Sequence, residues 1–361
     1  MSIFRKVFPA KKPVVGGFEE FWSWFQKQER DFHTAVRSGR NIEKEFFNKL
    51  TPMLHQLNNE VLLLTGMKDP DTVELVFTAD GKVKHFAFIE DLVTSAPQLR
   101  GWQFTALKPA IPGVSIEMGG YQFGEDNISF VPDDDPLRPD EIRIILVHED
   151  YREENSDLIE NGSFIYLDNT LGELEFACLI DHVQLASKNE VAADLIPVAK
   201  LKDYLSWREK EFVEKYGALR RDTSGDQHSL MEGRLPNGQS AIIVLNADLL
   251  RWDARASHPW LLLVELQYTD KQHAGMPGET TSEKLQVLED RISNELPAGE
   301  GYLNIGRQTG ANAQHLFFAC QEFRRPSRVM AALLRDNSTD IRISFEIVKD
   351  KYWKTLEGYE L

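Results

Sequence analysis

The sequence predicts an α+β protein. An N-terminal α+β region of strand-strand-helix-strand repeats precedes a ferredoxin-like C-terminal domain, an antiparallel sheet with two helices on one face. Three observations predict it. Aromatic residues recur at helical spacing over residues 18–36. A strand-strand-helix-strand order then occurs twice, over 60–110 and 127–187. Beyond residue 238, after one leading strand, the order is β-α-β-β-α-β. The expected organisation is a flexible arm over 1–17, an N-terminal region over 18–217, a linker over 218–237 and the ferredoxin-like domain over 238–361.

Each element has its own signal. Phe18, Phe21, Trp22, Phe25, Phe32 and Val36 form the apolar stripe of a first helix, which Gly39 ends. Ile42, Phe46, Leu50, Leu54 and Leu57 mark a second, with Pro52 expected to kink or restart it. VLLLTGM and TVELVFTADG read as strands, KHFAFIEDLVTSA as a helix and GWQFTALKP as a strand. NISFVP and EIRIILVH are strands across the acidic turn PDDDPLRPDE, residues 152–171 are a helix, and LEFACLIDHVQLA reads as one long strand. Whether the two repeats share a sheet is left open. PVAKLKDYLSWREKEFVEKY is a helix opened by Pro197 and stopped by Gly217.

The C-terminal elements are plainer. SAIIVLN leads in as a strand. WLLLVELQY is apolar enough for a central strand. TSEKLQVLEDRISNEL is a helix, with Thr280 and Glu283 placed for a capping box. GYLNIG and QHLFFACQ are strands joined by a hairpin turn, with Gly306 at a bulge or strand end and Gly310 and Asn312 supplying positive φ. PSRVMAALLRD is a helix and DIRISFEIV an alternating strand.

Composition narrows function. Lys and Arg number 41 against 57 Asp and Glu, a net charge of −16. Such a surface repels nucleic-acid phosphates and anionic lipid, so direct binding to either is not expected, and a basic protein is the expected partner. The basic N-terminus lacks the apolar core of a signal peptide, and no stretch reaches a membrane span, so a cytoplasmic location is expected. Cys178 and Cys320, both in apolar runs, read as buried free thiols.

Motifs for catalysis are missing from the chain. Gly299-Glu300-Gly301 lacks the third glycine of a dinucleotide fingerprint, GMPGETTSEK lacks the lysine of a P-loop, and Gly113-Val114-Ser115 is not followed by the second glycine of a nucleophile elbow. No HxxxH or HExxH occurs, so no metal and no cofactor are expected. Asp133, Asp134 and Asp135 offer oxygen ligands without EF-hand spacing and read as a solvated loop. Two candidate sites remain. His148 and His182, each beside carboxylates, are placed to meet across neighbouring strands in a cleft. Arg324, Arg325 and Arg328, with Arg307 nearby, are a candidate anion or partner contact at a helix N-terminus.

Residues 238–358 carry WLLLVELQY, EKLQVLEDRISNEL, YLNIGRQTG, HLFFAC, the pair Tyr352 and Trp353, and Tyr359. With these, the segment resembles the domain-of-unknown-function family 695, and more distantly is similar to the regulator B of ribonuclease E activity, an acidic ferredoxin-like inhibitor. The N-terminal part, with FWSWF, LLLTGM, ELVFTADG, GWQFTALKPA and LDNTLGE, resembles an uncharacterised bacterial companion domain. The resemblance implies no catalytic residues. The expected function is therefore a non-enzymatic protein-interaction or regulatory module, of nuclease-inhibitor or immunity type. The alternative is an enzyme or small-ligand binder using an interdomain cleft. The sequence leaves the oligomeric state open.

Overall fold

The computed structural model describes residues 14–235, 238–270 and 273–359. Most of the expected arm, residues 1–13, lies outside them. Two compact units emerge. One runs to Asp80 and includes Phe88–Pro109; the other comprises Gly81–Ala87 and the chain from Ala110 onward.

In the first unit, α1 (Phe18–Ser38) ends where Gly39 turns left-handed, at φ 66°, and returns its N–H to Val36. A π-helical turn, Glu43–Phe47, leads into α2 (Asn48–Leu54), which contains Pro52. Strands β1 (Leu62–Met67) and β2 (Val73–Thr78) are antiparallel. After α3 (Phe86–Thr94), β3 (Trp102–Ala106) returns parallel to β2, giving the order β1-β2-β3. The α1 stripe packs on one sheet face, with Trp22 5.9 Å from Phe77 and Phe25 5.4 Å from Phe104, ring centre to ring centre. Trp22 Nε1 donates to Leu92 O at 2.9 Å and ties α3 to the same layer. The helical aromatic spacing is thus a core stripe.

The second unit begins with a hairpin that the sequence reading missed, β4 (Ile116–Met118) and β5 (Tyr121–Phe123). Its turn is Gly119-Gly120, at φ 60° and 86°, a conformation only glycine adopts freely at both places. Strands β6 (Ile128–Pro132) and β7 (Arg143–His148) are antiparallel. Next come α4 (Ser156–Leu171), α5 (Glu173–Leu179), β8 (His182–Ala186) parallel to β7, and β9 (Ile196–Pro197). The order is β8-β7-β6-β9, with α6 (Leu201–Tyr216) following. The two repeats share one topology, an antiparallel pair and then a parallel return, but in separate sheets. The long strand expected over LEFACLIDHVQLA is corrected. Its first half is α5, because Phe176 and Leu179 reach the core at helical spacing.

The rest of the unit is one antiparallel sheet. Its strands are β10 (His228–Arg234), β11 (Ser240–Asn246), then, after α7 (Ala247–Leu250), β12 (Trp260–Gln267). Helix α8 (Glu279–Glu295), β13 (Tyr302–Gly310), β14 (Ala313–Cys320), α9 (Arg324–Asp336) and β15 (Arg342–Lys349) complete it. The spatial order is β10-β11-β13-β14-β12-β15. Residues 228–234, expected in a linker, form an edge strand. Helix α8 starts at Glu279 with Gly278 as N-cap and no side-chain cap, so Thr280 and Glu283 form no capping box. The face away from α8 is also buried, by Leu245, Leu261, Leu303 and Ile305 under Trp353 and Leu356.

The GRQTGANAQ stretch is a hairpin, as expected, with one exchange. Gly306 sits at a bulge at φ 140°, and a Cβ there would lie 2.1 Å from Val244 O. The two turn residues are Ala311 and Asn312, at φ 53° and 65°. Gly310 instead lies in β13, where a Cβ would lie 2.6 Å from the Ser240 carbonyl oxygen. No helix among the described residues is long and apolar enough to cross a membrane.

Candidate functional site

The two histidines do not converge. His182 faces Arg143 in the parallel β7–β8 register, so His148 lies five residues further along β7. At a rise of ~3.3 Å per residue that is about 16 Å. His148 is buried and saturated: Nδ1 accepts the Asp150 N–H at 3.1 Å, so Nε2 carries the proton and donates to Gln122 O at 2.8 Å. An open cleft of about 780 Å³ adjoins it at the carboxyl ends of β7 and β8, rimmed by Glu149, Glu153, Glu154 and Glu190 with Arg152 and Lys188. His182 is exposed at the opposite end of β8.

The arginines are also apart, and their helix end is filled. Arg307, on β13, bonds Glu289 of α8 at 2.9 Å, and Gln314 donates to the other Glu289 oxygen at 3.0 Å. At the start of α9, Glu322 accepts the backbone N–H groups of Arg324 (2.6 Å) and Arg325 (3.0 Å) and the Tyr302 hydroxyl (2.6 Å). The anion expected there is thus the chain's own. Arg325 pairs with Glu300 and lies over the Tyr302 ring; Arg324 lies over Phe323; Arg328 is exposed one turn on.

Carboxylates elsewhere hold cations of the chain. Asp133 pairs with Arg143 and Asp135 with Arg138, both at 2.7 Å, and Asp134 with Arg208 at 3.5 Å. The DDD loop is therefore an arginine clamp. Nearby, Asp181 pairs with Lys349 at 2.9 Å and Lys351 at 2.7 Å and accepts the Ile142 N–H. Burial works to raise the Asp181 carboxyl, but the two ammoniums hold it below the usual range. Burial and the Lys349 charge push Lys351 down to about 8. Its ammonium is nonetheless fully engaged, by Asp181, Asp140 O and the Phe212 ring. These contacts tie the turn after β15 to the β7–β8 layer.

The thiols differ from expectation in one respect: Cys320 is buried, with its pKa raised by desolvation, whereas Cys178 is only half-buried. Among the described residues no group of three or more His, Cys, Asp or Glu is placed to hold a metal.

One surface of the first unit is not closed in this way. Strand β1, LLLTGM, is an edge strand with no charge and no proline. Leu62 and Leu64 share one face and are 49% and 48% exposed. Lys68 N–H bonds Thr72 O across the hairpin at 2.9 Å, which turns the even-numbered backbone groups toward β2. The N–H and C=O groups of Leu63, Thr65 and Met67 consequently point outward. Beside the leucines, Glu74 accepts from Thr105 Oγ1 at 2.6 Å and Gln103 Nε2 at 3.1 Å, making a polar margin. The sequence reading identified this strand but not its edge position, which depends on pairing with β2 alone.

Residues 234–359 match a family of unknown function (DUF695). No curated protein and no solved structure matches the chain.

Proposed function

We propose that this chain is a non-enzymatic protein-interaction module that takes up a strand of a protein partner along β1. The observation that supports it most is the pairing of an open backbone edge with two half-exposed leucines in a strand carrying no charge. Edge strands in soluble proteins ordinarily carry lysines, prolines or bulges that prevent pairing, and an edge without them is suited to β-augmentation. Backbone hydrogen bonds would supply affinity, and Leu62 and Leu64 would receive alternate apolar side chains of the partner. The net charge of −16 favours a basic partner and a rate of association that falls with salt. Within the 234–359 region the order β13-β14-β12-β15, with α8 and α9 as crossovers, supports a ferredoxin-like arrangement extended by β10 and β11. This accords with a regulatory role of the inhibitor kind.

The experiment is affinity capture from cell extract with wild type and with Leu62→Lys/Leu64→Lys as bait. The reading expects a stoichiometric protein that wild type retains and the variant loses, with unchanged thermal unfolding of the bait. Equal recovery by both baits contradicts it.

A further inference from the structure

We propose that a second copy of this chain pairs with it edge to edge through β10, in antiparallel register about Leu230, joining two six-stranded sheets into one. This contact is separate from the β1 edge and independent of the reading given to it.

The geometry of β10 fixes which groups are available. Ala247 N–H bonds Gln227 O at one end of the β10–β11 pair, and Leu235 N–H bonds Gln239 O at the other, both at 2.9 Å. The odd-numbered residues of β10 therefore bond to β11, and the backbone groups of His228, Leu230, Glu232 and Arg234 face away from it. Among the described residues β10 pairs with β11 alone. The opposite edge of the sheet is guarded: Lys84 donates to Phe345 O of β15 and pairs with Glu346 at 2.6 Å. β10 is the open side.

The side chains select the register. Leu230 is 69% exposed, and on the same face Ile242 of β11 is 37% exposed. Leu230 lies opposite Val244, and Val244 opposite Arg307, whose charge Glu289 holds. Centring a twofold axis on Leu230 sets the two leucines against each other and places His228 opposite Glu232 of the second copy, twice. Centring on Met231 would set the apolar Leu230 against the charged Glu232, and centring on Glu232 would oppose two glutamates. An imidazole N–H facing a carboxylate and leucine facing leucine favour an antiparallel pair and like charges disfavour it, so the Leu230-centred register is the one these residues encode.

The test is sedimentation equilibrium of the full chain from micromolar to hundreds of micromolar concentration. Wild type is expected to move from 41.3 kDa toward twice that mass. Leu230→Pro removes an outward N–H and leaves the β10–β11 bonds intact, so it should stay monomeric with unchanged circular dichroism. His228→Glu, a surface change, should weaken the dimer at least tenfold, and His228→Glu/Glu232→Lys should restore it. Leu62→Lys/Leu64→Lys should dimerise like wild type. A wild type that remains monomeric throughout overturns the proposal. So does a Leu230→Pro chain that dimerises like wild type, a His228→Glu chain that dimerises as tightly as wild type, or a dimer abolished by the β1 changes.

Discussion

Lys351 donates to Asp181 at 2.7 Å with both side chains almost wholly buried, at 4% and 8% exposure. The bond joins the turn after the last strand to the residue just before β8. Removing one partner of such a pair leaves a buried uncompensated charge. Asp181→Ala, which strands both Lys349 and Lys351, should cost about 3–5 kcal/mol. The exposed Lys284–Asp340 pair has a 2.6 Å contact but is solvated, and Lys284→Ala should cost far less than Asp181→Ala. Urea unfolding of both variants checks the contrast; equal losses would count against a buried junction.

His258 supplies the pH dependence. It is fully buried against Trp252, and burial, then the Arg220 charge, lower its pKa to about 4. The unfolded chain protonates this histidine near its ordinary 6.5 while the folded chain does not. Its contribution is present above about pH 6.5 and is lost as pH falls toward about 4, to a total of roughly 3 kcal/mol. Urea midpoints followed from about pH 7 to about pH 4.5 should fall more steeply for wild type than for His258→Gln. Parallel curves would show that another group carries the acid sensitivity.

The β13–β14 hairpin makes opposite predictions at two neighbouring sites. Gly306→Ala places a Cβ on the Val244 carbonyl at a φ that side chains avoid, and should destabilise by roughly 2–4 kcal/mol. Ala311 already carries a side chain at φ 53°, so Ala311→Gly should stabilise by roughly 0.5–1 kcal/mol. Thermal unfolding reads both, and a destabilised Ala311→Gly would contradict the turn geometry.

Much of this fold was legible where periodicity reports burial. The Phe21–Phe25–Phe32 stripe and the alternation of β15 both gave the right element, because a single face of each is covered. β10 was not legible: Leu230 and Met231 are adjacent, one exposed and one turned toward the core, so HSLMEGR reads as polar linker. α5 was misread because FACLI is apolar throughout, and only packing separates a short buried helix from a strand. The site residues failed for another reason. Adjacency in sequence showed that His148 and Arg324 lie near charges, but not that Gln122 and Asp150 saturate the histidine or that Glu322 caps the helix. Those partners depend on register and on loops. The β1 edge was hidden likewise, since LLLTGM reads the same at an edge as in the middle of a sheet.

The reading of β1 as a docking edge is tested most directly by amide hydrogen exchange across that strand, measured with and without the protein that wild type captures. Leu63, Thr65 and Met67, whose N–H groups point outward, should become protected on binding, while Leu64 and Gly66, already bonded to β2, change little. Protection elsewhere on the chain, with these three amides unchanged, would contradict the account.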